Sequence, residues 1–210
     1  MSSGTENVAT SVEPTSNAQG NKLPLLVGIS LGYFMVLLDT TIVTVALPKI
    51  QESLHGTLSE LQWVSNAYTL TFAALLLTAG ALSDKFGGKQ VFTIGLWAFA
   101  ILSGISTLAS TINVLIVMRA LLGIAGALLL PTSLAIIANT YTDPAARAKA
   151  LGGWAAITGI ALAMGPVIGG ILTDTVGWRA IFLINVPVAI LSIGLTLTFA
   201  RETSRLPHLK

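Results

Sequence analysis

Residues 23–47 read LPLLVGISLGYFMVLLDTTIVTVAL, and Asp39 is the one charged side chain in that run. Wound as a helix at ~1.5 Å per residue, the stretch exceeds the ~30 Å hydrocarbon thickness of a bilayer. Hydrocarbon offers no water to the peptide groups, so a chain crossing it must satisfy its N–H and C=O groups internally, as a helix does. The run is too long for the apolar core of a signal peptide. Residues 1–21 (MSSGTENVATSVEPTSNAQGN) have neither a cationic start nor an apolar stretch, so residues 1–22 are expected to form a disordered cytoplasmic tail.

Five further apolar stretches follow, giving spans at about residues 23–47, 61–82, 91–109, 112–138, 150–172 and 180–199. The 210-residue chain is 53% hydrophobic and only 10% charged, where soluble domains carry about a quarter charged residues. Its mean hydropathy is +0.82. The expected fold class is therefore an all-α integral membrane protein of six transmembrane helices in one bundle over residues 23–200, followed by a cytoplasmic basic tail over 201–210. With no cysteine and two separated histidines, His55 and His208, neither a disulfide framework nor a clustered metal site is expected. The surplus of two positive charges is not gathered into a cluster of the density that a phosphate backbone needs, so nucleic acid is not an expected partner.

Orientation follows from lysine and arginine. With the N-terminus in the cytoplasm, Lys22, Lys85, Lys89, Arg147, Lys149, Arg201, Arg205 and Lys210 lie inside and Lys49 and Arg179 outside, the asymmetry expected of a multi-pass protein of the cell membrane with both termini cytoplasmic. Short loops join the spans. Ser83–Gln90 (SDKFGGKQ) reads as a charged cytoplasmic turn, and Asp143 reads as the N-cap of a helix begun by Pro144.

Asp39 and Arg119 fall inside spans, where a charge at the helix centre costs on the order of 2.5–3.5 kcal/mol. Asp39 is eight residues from the outer end of its span and Arg119 seven from the outer start of its own. Both therefore lie about 11 Å below the outer edge and can meet. They are either a structural intramembrane ion pair or a protonatable carboxylate in a transport path whose ionisation the arginine modulates. Pro131, Pro166 and Pro187 fall inside spans, and Gly165, Gly169 and Gly170 surround Pro166. That pattern suits either ordinary close packing or a moving seam. Trp63 and Trp178 are placed to anchor span ends at the interface. Asn66 and Tyr68 either line a polar cavity or hydrogen-bond a neighbouring helix.

Five stretches, in order along the chain, resemble the major facilitator superfamily and, within it, the drug:proton antiporter branch with fourteen spans. Leu38–Pro48 (LDTTIVTVALP) resembles the first-span signature and Gly80–Lys89 (GALSDKFGGK) the loop motif between spans two and three. Met118–Ala127 (MRALLGIAGA) is similar to the fourth-span arginine motif, Ala161–Gly170 (ALAMGPVIGG) to the fifth-span antiporter motif, and Gly177–Pro187 (GWRAIFLINVP) to the entry to span six. Departures are Gly88 where the loop motif usually has arginine, Thr44 for asparagine and Ala180 for an aromatic residue.

The resemblance implies a bundle of two inverted three-helix repeats, the N-terminal six-span half of such a transporter. It implies proton coupling at Asp39 and Arg119, a cytoplasmic gate loop of Gly80, Asp84, Lys85, Gly87 and Lys89, and an antiporter helix motif of Gly165, Pro166, Gly169 and Gly170. The implied function is proton-coupled multidrug or antibiotic efflux by alternating access, driven by the proton gradient without a cofactor. The implied partners are a small amphipathic substrate, the lipid bilayer and a second six- or eight-span bundle. A competing expectation is a non-transporting membrane module that pairs with another transporter bundle. An enzyme is not expected, since the spans hold no histidine or cysteine and one Asp with one Arg is not a nucleophile and base set.

Overall fold

A computed structural model describes residues 22–199, which fold as helices and short connections with no strand among them. The tails expected over residues 1–22 and 201–210 lie outside the described residues, except that Lys22 opens the first helix. The elements are α1 (Lys22–Leu54), α2 (Leu58–Phe86), α3 (Gly88–Ser106), α4 (Ile112–Thr140), α5 (Pro144–Thr175), α6 (Ala180–Leu183) and α7 (Asn185–Phe199). Together α6 and α7 make the sixth apolar crossing, Ala180–Phe199.

Most helices outrun the apolar stretches from which they were read, because a capped helix continues into water where hydropathy falls. Thr57 accepts a bond from the Glu60 N–H at 3.3 Å while Glu60 Oε2 accepts from the Thr57 N–H at 2.8 Å. This capping box starts α2 three residues before the apolar run. Asp143 accepts from the Ala146 N–H at 2.8 Å, with Pro144 at the first position of α5, as its sequence predicts. At the other end of α4 the Arg147 guanidinium donates to the Tyr141 and Ala138 carbonyls at 3.0 and 3.1 Å, satisfying acceptors that the ending helix leaves open.

Pro48, Pro131 and Pro166 all lie inside continuous helices. The sixth crossing alone is interrupted, at Ile184, where Pro187 has no N–H to offer the Leu183 carbonyl. Expected loop Ser83–Gln90 contracts to one residue, Gly87, which ends α2 and precedes α3 at φ +93°, a conformation that favours glycine.

Helices α2, α4, α1 and α5 stand side by side in that order: α2 packs chiefly on α4, α4 touches α1, and α1 packs chiefly on α5. Behind them α3 backs α4, α7 backs α1, and α3 and α7 touch. Exchanging α1, α2 and α3 for α4, α5 and the α6–α7 pair leaves this pattern unchanged. Three crossings separate the start of α1 from that of α4, so the repeats run in opposite senses: the bundle is two inverted three-span repeats.

The most extensive contacts, α2 on α4 and α1 on α5, each join one repeat to the other. Both are closed by glycine. A Cβ on Gly123 would lie 2.1 Å from Thr71 Oγ1 and 2.4 Å from the Tyr68 carbonyl oxygen, and one on Gly165 would lie 1.8 Å from Thr41 Oγ1. Removing the side chain lets the backbones approach, which matters where lipid tails are as apolar as leucine and packing must hold helices together. Phe92, Phe99, Phe182, Ile29 and Leu122 fill the interior. Leu77, Leu70, Ile94 and Val167 point outward, as lipid-facing residues do.

Trp178 corrects an expectation. It is buried rather than set at the bundle surface. Its ring meets Phe182 edge-on at 6.3 Å and carries the Arg179 guanidinium at 4.3 Å. Arg179 in turn donates to the Thr107 and Ala109 carbonyls at 2.9 and 3.1 Å, clamping the α5–α6 corner onto the α3–α4 turn. A ring buried under Arg179 and against Phe182 is not presented to the membrane interface. Trp63 stays half exposed.

Candidate functional site

The buried charges meet in the interior, at the seam between α1 and α4. Asp39 and Arg119 are 0% and 1% exposed, and Arg119 Nη1 donates to Asp39 Oδ2 in an ion pair. The depth arithmetic puts them at one level, and the α1–α4 contact brings them together. The guanidinium has two further contacts. Its Nε donates to the Val64 carbonyl of α2 at 3.1 Å, and its plane lies 4.2 Å over the Tyr68 ring. Tyr68 is held in place by its hydroxyl, which donates to the Val36 carbonyl of α1 at 3.3 Å.

The second carboxylate oxygen, Asp39 Oδ1, accepts from Asn185 Nδ2 at 3.2 Å, and the same nitrogen donates to Ser103 Oγ at 2.9 Å. Asn185 and Ser103 are both fully buried. The constellation thus draws on α1, α2, α3, α4 and α7. Taking an ion pair out of water is recovered only where geometry is good and further hydrogen bonds are made, and here both carboxylate oxygens and the guanidinium Nε and Nη1 have partners. The ion pair is thus held by side chains and backbone of five crossings. Among the described residues, no group of three or more His, Cys, Asp or Glu is placed to hold a metal ion.

The other residues singled out in the sequence divide. Gly165 and Gly169 seat α5 on Thr41 and Ile42 of α1, one turn from Asp39, whereas a Cβ on Gly170 would meet no neighbour within 4 Å and Pro166 faces outward. The residues expected to form a cytoplasmic gate loop are not a loop. Gly80, Asp84 and Lys85 lie on the last turns of α2, Gly87 is the junction and Lys89 is in the first turn of α3. Asp84 and Lys85 are exposed, Lys85 lying 5.3 Å over the Phe86 ring, and Lys89 Nζ donates to the Leu197 carbonyl of α7 at 3.5 Å.

Asn66 is exposed on α2, while Tyr68 is buried and bonded to α1. Of the two roles open to Tyr68, the helix-bridging one is realised. Sequence reasoning missed Asn185 and Ser103 because it sought ionisable groups. The available signal was an amide alone in the apolar run IFLINVPVAIL.

The chain matches the Major Facilitator Superfamily over residues 29–210. It is 39% identical over 196 residues to the "Tetracenomycin C resistance and export protein" of Streptomyces glaucescens, covering 92% of this chain and 36% of that protein. It is likewise 39% identical over 197 residues to the "Methylenomycin A resistance protein" of Bacillus subtilis, covering 94% of this chain and 41% of that one. Among solved structures it superposes on a bacterial homologue of the human lysosomal transporter Spinster with a TM-score of 0.70 at 22% identity, covering 91% of this chain and 46% of that. On a proton:xylose symporter it superposes with a TM-score of 0.68 at 17% identity, covering 83% and 44%. The chain thus spans about two fifths of the length of the relatives it matches.

Proposed function

The chain belongs to the Major Facilitator Superfamily, and from that premise we propose that it is one six-span bundle of a proton-coupled exporter of small amphipathic compounds. The observation that carries the reading is the buried Arg119–Asp39 pair, joined to five of the crossings. Relatives named for tetracenomycin C resistance and export and for methylenomycin A resistance support the substrate class.

In this reading a second six- or eight-span bundle, on the same product or on another chain, faces the first, and substrate binds between them near the midplane of the cell membrane. Both termini lie in the cytoplasm. A proton entering from outside reaches Asp39 and cancels its charge, which releases the pairing with Arg119 and loosens the seam between α1 and α4. The bundles then rock, substrate leaves outward and the proton leaves inward. The proton gradient is the energy source, and no cofactor takes part.

The test is pH-gradient-driven efflux from vesicles holding both bundles, with Asp39→Asn in the first. The neutral isostere is expected to keep substrate binding and to abolish accumulation against a gradient. Efflux that remains coupled to the pH gradient in Asp39→Asn refutes the proton role of Asp39. Co-purification with another membrane protein, without transport by the reconstituted pair, would instead favour a non-transporting partner module.

A further inference from the structure

The buried polar pair behind Asp39 has no task in that cycle. Asn185 opens α7 immediately after the break at Ile184, and Ser103 reaches it from α3. Asn185 Nδ2 serves two acceptors, Asp39 Oδ1 and Ser103 Oγ, while its Oδ1 is buried without a hydrogen-bond partner among the described residues. A buried polar atom left unpaired is penalised and calls for an explanation.

The explanation lies in what each group can donate and accept. An ionised carboxylate only accepts, a protonated one also donates, a hydroxyl does both, and an amide offers donors at one end and an acceptor at the other. With Asp39 ionised, the observed arrangement is the fitting one. With Asp39 protonated, half a turn of the Asn185 amide points Oδ1 at the new O–H, and the Ser103 hydroxyl reverses from acceptor to donor to the same oxygen. We propose that Asn185, steered by Ser103, is a positioning residue that hydrogen-bonds Asp39 in both of its charge states, through Nδ2 to the carboxylate and through Oδ1 to the carboxylic acid.

The inference rests on the proton role given to Asp39 above. The arriving proton binds an Asp39 oxygen, while Arg119 keeps its own proton together with its contacts to Val64 and Tyr68. The groups that bear on Asp39 from the packed helices are Arg119 on α4 and Tyr68 on α2. The titratable residues of α3 and α5 (Lys89, Arg147, Lys149 and Asp174) lie near the ends of those helices, Arg179 lies at the outer corner before α6, and described α7 has none. The neutral pair is therefore what faces Asp39 from behind.

The test is infrared difference spectroscopy of the reconstituted chain between acid and alkaline pH, read at the carboxylic C=O stretch. Asp39→Asn identifies the Asp39 band by its loss. Asn185→Leu, close in volume and without polar atoms, is expected to move that band to the higher frequency of a carboxylic acid with no hydrogen-bond acceptor. Ser103→Ala is expected to broaden it, since the amide is then steered from one side only. In vesicles holding both bundles, Asn185→Leu should slow gradient-driven efflux about ten- to a hundredfold, the worth of one hydrogen bond to a charged group.

A merely structural Asn185 would leave the band in place, so an unmoved band in folded Asn185→Leu overturns the proposal. If that variant does not insert, Ser103→Ala, which removes one hydroxyl, decides it: a band that this variant leaves unbroadened overturns the proposal. A spectrum that Asp39→Asn leaves unchanged refutes the proton role itself, a distinct result that also removes the ground for this inference.

Discussion

Replacing Arg119 by leucine should cost the bundle about as much as truncating a large apolar side chain in its interior. The substitution deletes the ion pair to Asp39, the 3.1 Å bond to the Val64 carbonyl and the stacking on Tyr68. It leaves a 0% exposed carboxylate with Asn185 as its remaining side-chain partner. Breaking a buried pair from one side costs about 3–5 kcal/mol, because the surviving charge stays desolvated and uncompensated. Removing both charges is a different perturbation, since an apolar replacement of a buried pair is often neutral. Arg119→Leu combined with Asp39→Asn, in which the amide still accepts from Asn185, should therefore recover about 2–3 kcal/mol of the single-mutant loss. The measurement is the unfolding free energy in bilayers or bicelles for the wild type, both single variants and the double variant. Double-variant losses equal to the sum of the singles within about 0.5 kcal/mol would mean that the two residues are not coupled, and the description of the site would fail.

Two further outcomes test the packing. Gly123→Ala places a methyl within 2.4 Å of the Tyr68 carbonyl oxygen and should destabilise the α2–α4 contact by about 1–3 kcal/mol; Gly170→Ala, with nothing within 4 Å, should be close to neutral in the same unfolding assay. In single-tryptophan versions of the chain, lipid-borne quenchers should reach Trp97 and Trp63, which are 48% and 50% exposed, and spare Trp178 at 5%. Equal quenching of Trp178 would contradict its place under Arg179.

The sequence was most legible where one physical cause dominates. Exposure to hydrocarbon demands apolar residues over a fixed length, so six helices could be counted. Helical rise is constant, so the levels of Asp39 and Arg119 could be compared before any contact was known. Legibility failed where the cause is tertiary. Ser83–Gln90 is polar and glycine-rich, yet α2 runs through it to Phe86 because helical hydrogen bonding does not stop at the hydrocarbon edge. Trp178 has the chemistry of an interfacial anchor, and only the arrival of Arg179 and Phe182 assigns it to the interior. Asn185 and Ser103 look like unremarked polar residues of apolar helices until α1 brings Asp39 against Asn185 and α3 brings Ser103 to it. Tyr68 and Asn66 are two residues apart on one helix and were read together, but a helix turns about 200° between such positions, so one is buried and the other exposed.

That the largest contacts join the two repeats rather than lie within them has a consequence for biogenesis. Neither set of three crossings holds a core of its own: α1 waits for α5, and α2 waits for α4. Asp39 precedes Arg119 by 80 residues, which at ribosomal speeds of about 5–20 residues per second is on the order of 4–16 s of synthesis. For that interval the first crossing carries an acidic group whose counter-charge has not yet been made, so the desolvation of Asp39 is not offset by Arg119 until the fourth crossing is synthesised.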